Sequence, residues 1–70
     1  MSRILTFDTT HHALWAEQIA GEHALLVQVV PAPPEAGARC DLALEVADDD
    51  SPALERELRA AGVPYRPWGV

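Results

Sequence analysis

The sequence predicts an α+β domain with the element order strand–helix–strand–strand–helix–strand. Three observations carry that prediction. Apolar, β-prone runs recur at Arg3–Phe7, Ala24–Val30, Leu42–Val46 and Val63–Trp68. Two intervening stretches space their apolar residues at the helical period, and each opens on cap residues. A proline-rich loop separates the second run from the third, so the chain divides into two strand–helix–strand halves of similar length.

Arg3–Phe7 is short and holds Ile, Thr and Phe, residues that favour strand. Asp8-Thr9-Thr10 follows, a cluster of N-cap residues that opens a helix. That helix is expected from about Thr10 to about Ala20–His23. Its spacing puts His12, Trp15, Ala16, Ile19, Ala20 and His23 on one face and leaves Leu14 off it. Gly21 ends the helix early or weakens its last turn. Ala24–Val30 is dense in Val and Leu and reads as a strand closed by Pro31. Pro31–Arg39 holds three prolines and a glycine and reads as a loop. Cys40 stands where it ends.

Leu42–Val46 alternates apolar with small or charged residues, as a half-buried strand does. Asp48-Asp49-Asp50 is a polar turn, and Ser51-Pro52 places an N-cap before a proline at the first helical position. The second helix is expected over Pro52–Ala61. Leu54, Leu58 and Ala61 would form its buried stripe, and Glu55 and Arg59 would pair across one turn. Gly62 is the C-terminal stop. Val63–Trp68 carries prolines and so reads as an edge strand.

This order is that of the ferredoxin-like split βαβ fold. Right-handed crossovers would place the first and third strands in the middle of a four-stranded antiparallel sheet. Both helices would cover one face.

Composition bounds the function. The 70 residues admit one domain, spanning 1–70, with Lys+Arg 5 against Asp+Glu 11 and a net charge of -6. All the cations are arginine. An acidic chain lacks the cationic face that nucleic acid or an anionic membrane needs, so neither partner is expected. No run approaches the ~20 apolar residues of a membrane span. The N-terminus lacks the apolar stretch of a signal peptide and the lone cysteine fits a reducing compartment, so a cytoplasmic location is expected. One cysteine excludes an internal disulfide and a zinc ribbon. A chain this size buries only about 60% of its unfolded surface, so its margin is thin.

Topology gives the cysteine a position. The first strand ends at the sheet edge where the third begins, so the turn Phe7–His12 and the loop Pro31–Arg39 meet there. By the two-residue pleat, Cys40 shares a face with Leu42, Leu44 and Val46, the side that the helices cover. Its sulfur is therefore expected to face the N-terminus of the first helix, where unpaired amides favour an anion. Thiols in such settings act as nucleophiles or sulfur acceptors. His12 lies on the sheet-facing side of the same turn and is the nearer imidazole; His11 points outward. An inert core cysteine is the competing reading, because free cysteine is among the most buried residue types. A surface or capping role is the competing reading for the histidines.

A metal site built from His11, His12 and Cys40 would supply at most three ligands without regular spacing, and no metal is expected. Asp48–Asp50 lacks the alternating ligands of a calcium loop. No Gly-rich phosphate loop, paired catalytic carboxylates or Ser/His/Asp set is readable, and no cofactor is expected.

These residues resemble a known pattern over essentially the whole chain. It comprises Phe7-Asp8-Thr9-Thr10-His11-His12-Ala13-Leu14 and Ala16-Glu17, then Pro31-Ala32-Pro33, Cys40 after it, Leu42-Ala43-Leu44, and Ala61-Gly62-Val63-Pro64-Tyr65. This is the pattern of small proteins of the "putative Se/S carrier protein-like" family. The chain carries Pro34 where that family has Arg, Gly37-Ala38-Arg39 where hydroxyl residues precede the Cys, and Asp41 where Gly follows it. Arg39 can offset the charge of Asp41.

The resemblance implies a carrier rather than an enzyme with its own turnover. Cys40 would accept sulfur or selenium as a persulfide-type group from a sulfur-donor protein. Thr9, Thr10, His11, His12, Pro31, Pro33 and Arg39 would form the binding surround. The alternative is a non-catalytic interaction module. The sheet face away from the helices would carry Ile4, Leu26, Val30, Ala43 and Trp68, with Thr6, Gln28 and Arg66 among them. A contiguous apolar patch of that kind marks an interface, here a homodimer or partner contact.

Overall fold

The computed structural model describes residues 1–37 and 39–68. Ala38, in the predicted loop, and Gly69 and Val70, at the end of the predicted domain, lie outside the described residues. The chain runs β1 (Ser2–Thr6), α1 (Thr10–Glu22), β2 (Val27–Pro31), a 3-10 turn at Pro34–Ala36, β3 (Leu42–Ala47), α2 (Ser51–Ala61) and β4 (Arg66–Trp68). The sheet order is β2-β3-β1-β4, with β1 and β3 central. Every neighbouring pair is antiparallel. This is the ferredoxin-like arrangement that the element order predicts.

Pleat parity builds the core. Leu5 is paired with Leu44, and Val27 and Val29 stand opposite Val46 and Leu44. These side chains point to one side, where Ala13, Ala16, Ile19 and Ala20 of α1 and Leu54 and Leu58 of α2 join them in a single cluster with Phe7, Cys40 and Val63. Leu5, Leu44, Val46, Leu54 and Leu58 are wholly buried. Each is worth about 1.5–3 kcal/mol relative to exposure, the bulk of what a domain of this size can gather.

The packed face of α1 differs from the expected one. Trp15 is 38% exposed and His23 is exposed, while Ala13, Ala16 and Ala20 are fully buried. The reason is size. Alanines at this spacing let the helix lie close against the sheet, and an indole does not fit in that gap. The helix is therefore rotated by about one residue from the face that the largest apolar side chains suggest, which leaves Leu14 and Trp15 outside.

Both helices end in the same way. After α1, Ala24 donates to the Gly21 carbonyl and Leu25 to that of Ala20; after α2, Gly62 donates to Arg59 and Val63 to Leu58. These are paired Schellman bonds, which need a left-handed residue at the turn. Gly62 takes φ 79°, as glycine readily does, but the equivalent residue of α1 is Ala24 at φ 56°. The closing turns consume residues that the sequence assigns to strands. Hence β2 begins at Val27 and not Ala24, and β4 at Arg66 and not Val63.

Helix α2 corrects three local expectations. Its cap position is Asp50, not Ser51; the buried Ser51 hydroxyl instead donates to Glu55 Oε2 at 2.8 Å. Asp50 makes no side-chain cap bond and accepts from the Leu26 amide at 2.9 Å, tying the β3–α2 turn to the start of β2. Ala61 is exposed, outside the stripe of Leu54 and Leu58. Glu55 and Arg59 are joined indirectly: Arg59 Nη1 donates to the Tyr65 hydroxyl at 2.7 Å, and that hydroxyl donates to Glu55 Oε1 at 3.3 Å.

The opposite sheet face carries Ile4, Thr6, Gln28, Val30, Ala43, Arg66 and Trp68, as pleat parity requires. Ala43 and Thr6 are buried between their neighbours, Ile4, Val30 and Trp68 are half-buried, and Leu26 is 72% exposed. Among the described residues, no helix is long and apolar enough to cross a membrane.

Candidate functional site

Three segments meet at Cys40. Thr9 opens α1 in extended conformation, and its hydroxyl accepts from the His12 amide at 3.1 Å. Its carbonyl accepts from the Ala13 amide at 3.2 Å. The cap hydroxyl thus satisfies the His12 amide, one of those that α1 leaves without an intrahelical partner, while the Ala13 bond is the first of the helix itself. What the turn offers the sulfur is a side chain: Thr10 Oγ1 lies 3.6 Å from Cys40 Sγ.

The second segment is the proline-rich loop. Pro31 pairs with Leu42 at the end of β2, and the Ala32 amide donates to the Asp41 carbonyl at 2.8 Å. The Pro31–Pro33 stretch thus runs alongside the residues that follow the cysteine. Pro33 leads into the 3-10 turn Pro34–Ala36, which Gly37 closes at φ 64°, a conformation that favours glycine. The third segment is the lead into β3. The Leu42 amide donates to Cys40 Sγ at 3.3 Å, a turn closed by sulfur.

Cys40 is 4% exposed and belongs to the core cluster, on the face shared with Leu44 and Val46. The arrangement suits two states of sulfur. A neutral thiol can donate to the Thr10 hydroxyl while accepting from Leu42; an anionic sulfur can accept from both.

The remaining candidate residues are not hydrogen-bond partners of the sulfur among the described residues. His12 is half-buried, and its Nδ1 is buried with no hydrogen-bond partner among the described residues. His11 is exposed, with its ring centroid 6.1 Å from that of His12 and 6.2 Å from that of Trp15. Arg39 is exposed. Among the described residues, the hydrogen-bond partners of the sulfur are Thr10 and Leu42, and neither histidine is one of them. The Leu42 donor escapes sequence reading because it belongs to the main chain; the one signal for it is the tight spacing of loop end, cysteine and strand start. No group of three or more His, Cys, Asp and Glu side chains that could hold a metal ion exists among the described residues.

No curated protein and no solved structure matches the chain. A family model does, over residues 2–68, from the first residue of β1 to the last of β4. By that match the chain belongs to the family described as "Putative Se/S carrier protein-like".

Proposed function

We propose that the protein carries sulfur or selenium on Cys40. In the sulfur case, the Cys40 sulfur attacks the terminal sulfur of a persulfide on a donor protein. The new S–S bond forms at Cys40, the donor's S–S bond breaks, and the donor leaves as a thiolate that takes up the proton Cys40 gave up. Thiol and persulfide exchange places, so no external oxidant or reductant is needed. Release to an acceptor is the same step in reverse.

The observation that supports this reading is the pair of hydrogen-bonding groups at the sulfur, the Leu42 amide, which donates, and the Thr10 hydroxyl, which can donate or accept. Either can hold the attacking thiolate and, after transfer, the inner sulfur of the persulfide. Burial of Cys40 suits a carrier, because it keeps water and oxidants from the cargo. It also requires that a docked donor gain access to a sulfur that is 4% exposed in the free protein.

The test is incubation with a cysteine desulfurase and cysteine, followed by intact-mass spectrometry. A gain of one sulfur atom, absent in Cys40→Ser, is expected. A wild-type mass unchanged under conditions that load a known acceptor overturns the reading.

A further inference from the structure

The two edges of the sheet are built differently. β4 is three residues long, with Arg66 and Pro67 among them, which blunts it as a template for pairing. β2 is the other edge, and its sequence, Val-Gln-Val-Val-Pro, carries no charge in a chain of net charge -6.

The main-chain direction of β2 follows from its bonds. The Ala47 amide donates to the Leu26 carbonyl and the Ala32 amide to the Asp41 carbonyl. In an antiparallel ladder the groups alternate, so residues 26, 28, 30 and 32 face β3. Val27, Val29 and Pro31 then present their main-chain groups outward, where no further strand lies among the described residues. Val27 and Val29 each offer an N–H and a C=O; Pro31 offers only a C=O.

We propose that β2 is a self-pairing edge, and that its occupant is β2 of a second copy of this chain. The unpaired groups themselves select a strand as the partner, and the side chains on the open face select the register. Antiparallel pairing of Val27 with Val29 of the partner subunit, and the reverse, makes four main-chain bonds about a two-fold axis at Gln28. Centring on Val29 instead also makes four, two between the Val29 residues and one from each Val27 amide to a Pro31 carbonyl, but it sets Gln28 against Val30. In the favoured register the side chains on the open face also match. Leu26, at 72% exposed, stands across from Val30 of the second copy, and Gln28 stands across from its own counterpart, with which its amide can hydrogen-bond.

Charge does not oppose this contact. The nearest carboxylate on that face is Glu45, opposite Gln28 and already held by the Ser2 hydroxyl at 2.7 Å. Its symmetry mate is three strand spacings away, about 14 Å, beyond the Debye length at physiological salt. The area is small, so the dimer is a weak one that fills at high concentration.

Analytical ultracentrifugation of the full chain up to about 1 mM tests the proposal. A concentration-dependent dimer is expected, together with amide-exchange protection of Val27 and Val29 that grows with concentration. Gln28→Lys places like charges across the axis and is expected to weaken association at least about tenfold, partly restored by high salt. Val29→Pro removes one outward donor and is expected to abolish it, with far-UV circular dichroism confirming the fold. Trp68→Ser, on the open face away from the edge, is expected to change nothing. A chain that stays monomeric at the highest concentration overturns the proposal. So does a dimer indifferent to both β2 variants, or one lost in Trp68→Ser alone.

Discussion

The hydroxyl of Thr10 stands 3.6 Å from the sulfur of Cys40, although 30 residues separate them in the chain. The contact exists because β1 and β3 are neighbours, which brings the opening of α1 over the lead into β3. A single side-chain oxygen then controls one of the two hydrogen bonds that the sulfur makes among the described residues.

Thr10→Val keeps the shape and removes the oxygen. We expect the alkylation rate of Cys40 to fall several-fold, as the loss of about 1 kcal/mol of donor stabilisation implies. Thr10→Ser is expected to restore it. Rates measured by iodoacetamide labelling, alongside melting curves for each variant, check this. Equal rates in wild type and Thr10→Val, at equal stability, would refute the role.

The cap before it is a stability element. Thr9→Ala removes the acceptor for the His12 amide and is expected to cost about 1 kcal/mol in urea unfolding. Thr9→Asp retains an acceptor and adds a negative charge at a helix opening whose first turn has no acidic residue, so no loss is expected there. A silent Thr9→Ala would contradict the capping geometry.

Ala24 and Gly62 are the same position in two equivalent turns, which makes an internal control. Ala24→Gly relieves a left-handed alanine, a strain of about 1–2 kcal/mol, against a smaller entropic cost in the unfolded chain. A net gain of about 0.5–1 kcal/mol is expected. Gly62→Ala imposes the same strain and is expected to lose about 1 kcal/mol. Denaturation midpoints of the two variants moving in the same direction would argue against this account.

The core has little to spare. Leu44→Ala empties a wholly buried site in a central strand, at a cost of about 2–5 kcal/mol, comparable with the whole stability of so small a domain. Circular dichroism at 25 °C is expected to show a largely unfolded chain. Leu26→Ala, at an exposed position, is expected to change stability by less than about 0.5 kcal/mol.

Much of the fold is legible in the residues because local signals agree with it. Thr9, Pro31, Pro52 and Gly62 punctuate the elements, and the split βαβ order then leaves one sensible strand arrangement. The errors have physical causes. Trp15 misleads because hydrophobicity does not reveal how close α1 must lie, and the alanines decide that. Ala24 misleads because nothing in its chemistry announces a left-handed turn. Ser51 misleads because a hydroxyl before Pro52 reads as a cap, while in the fold it serves Glu55. At the site, topology brings Cys40 to the opening of α1, but that Thr10 and the Leu42 amide are the groups at the sulfur depends on distances that spacing alone does not supply.

The strand order has a consequence for assembly of the molecule. β1 pairs with β3 and β4, and β2 with β3; neither half pairs a strand with its own second strand. A cleavage in the proline-rich loop would therefore yield two fragments that each lack any internal ladder. Each would be unstructured alone, and mixing them would turn folding from a first-order event into a second-order one. The same interlacing leaves neither half as a domain that could be borrowed without the other.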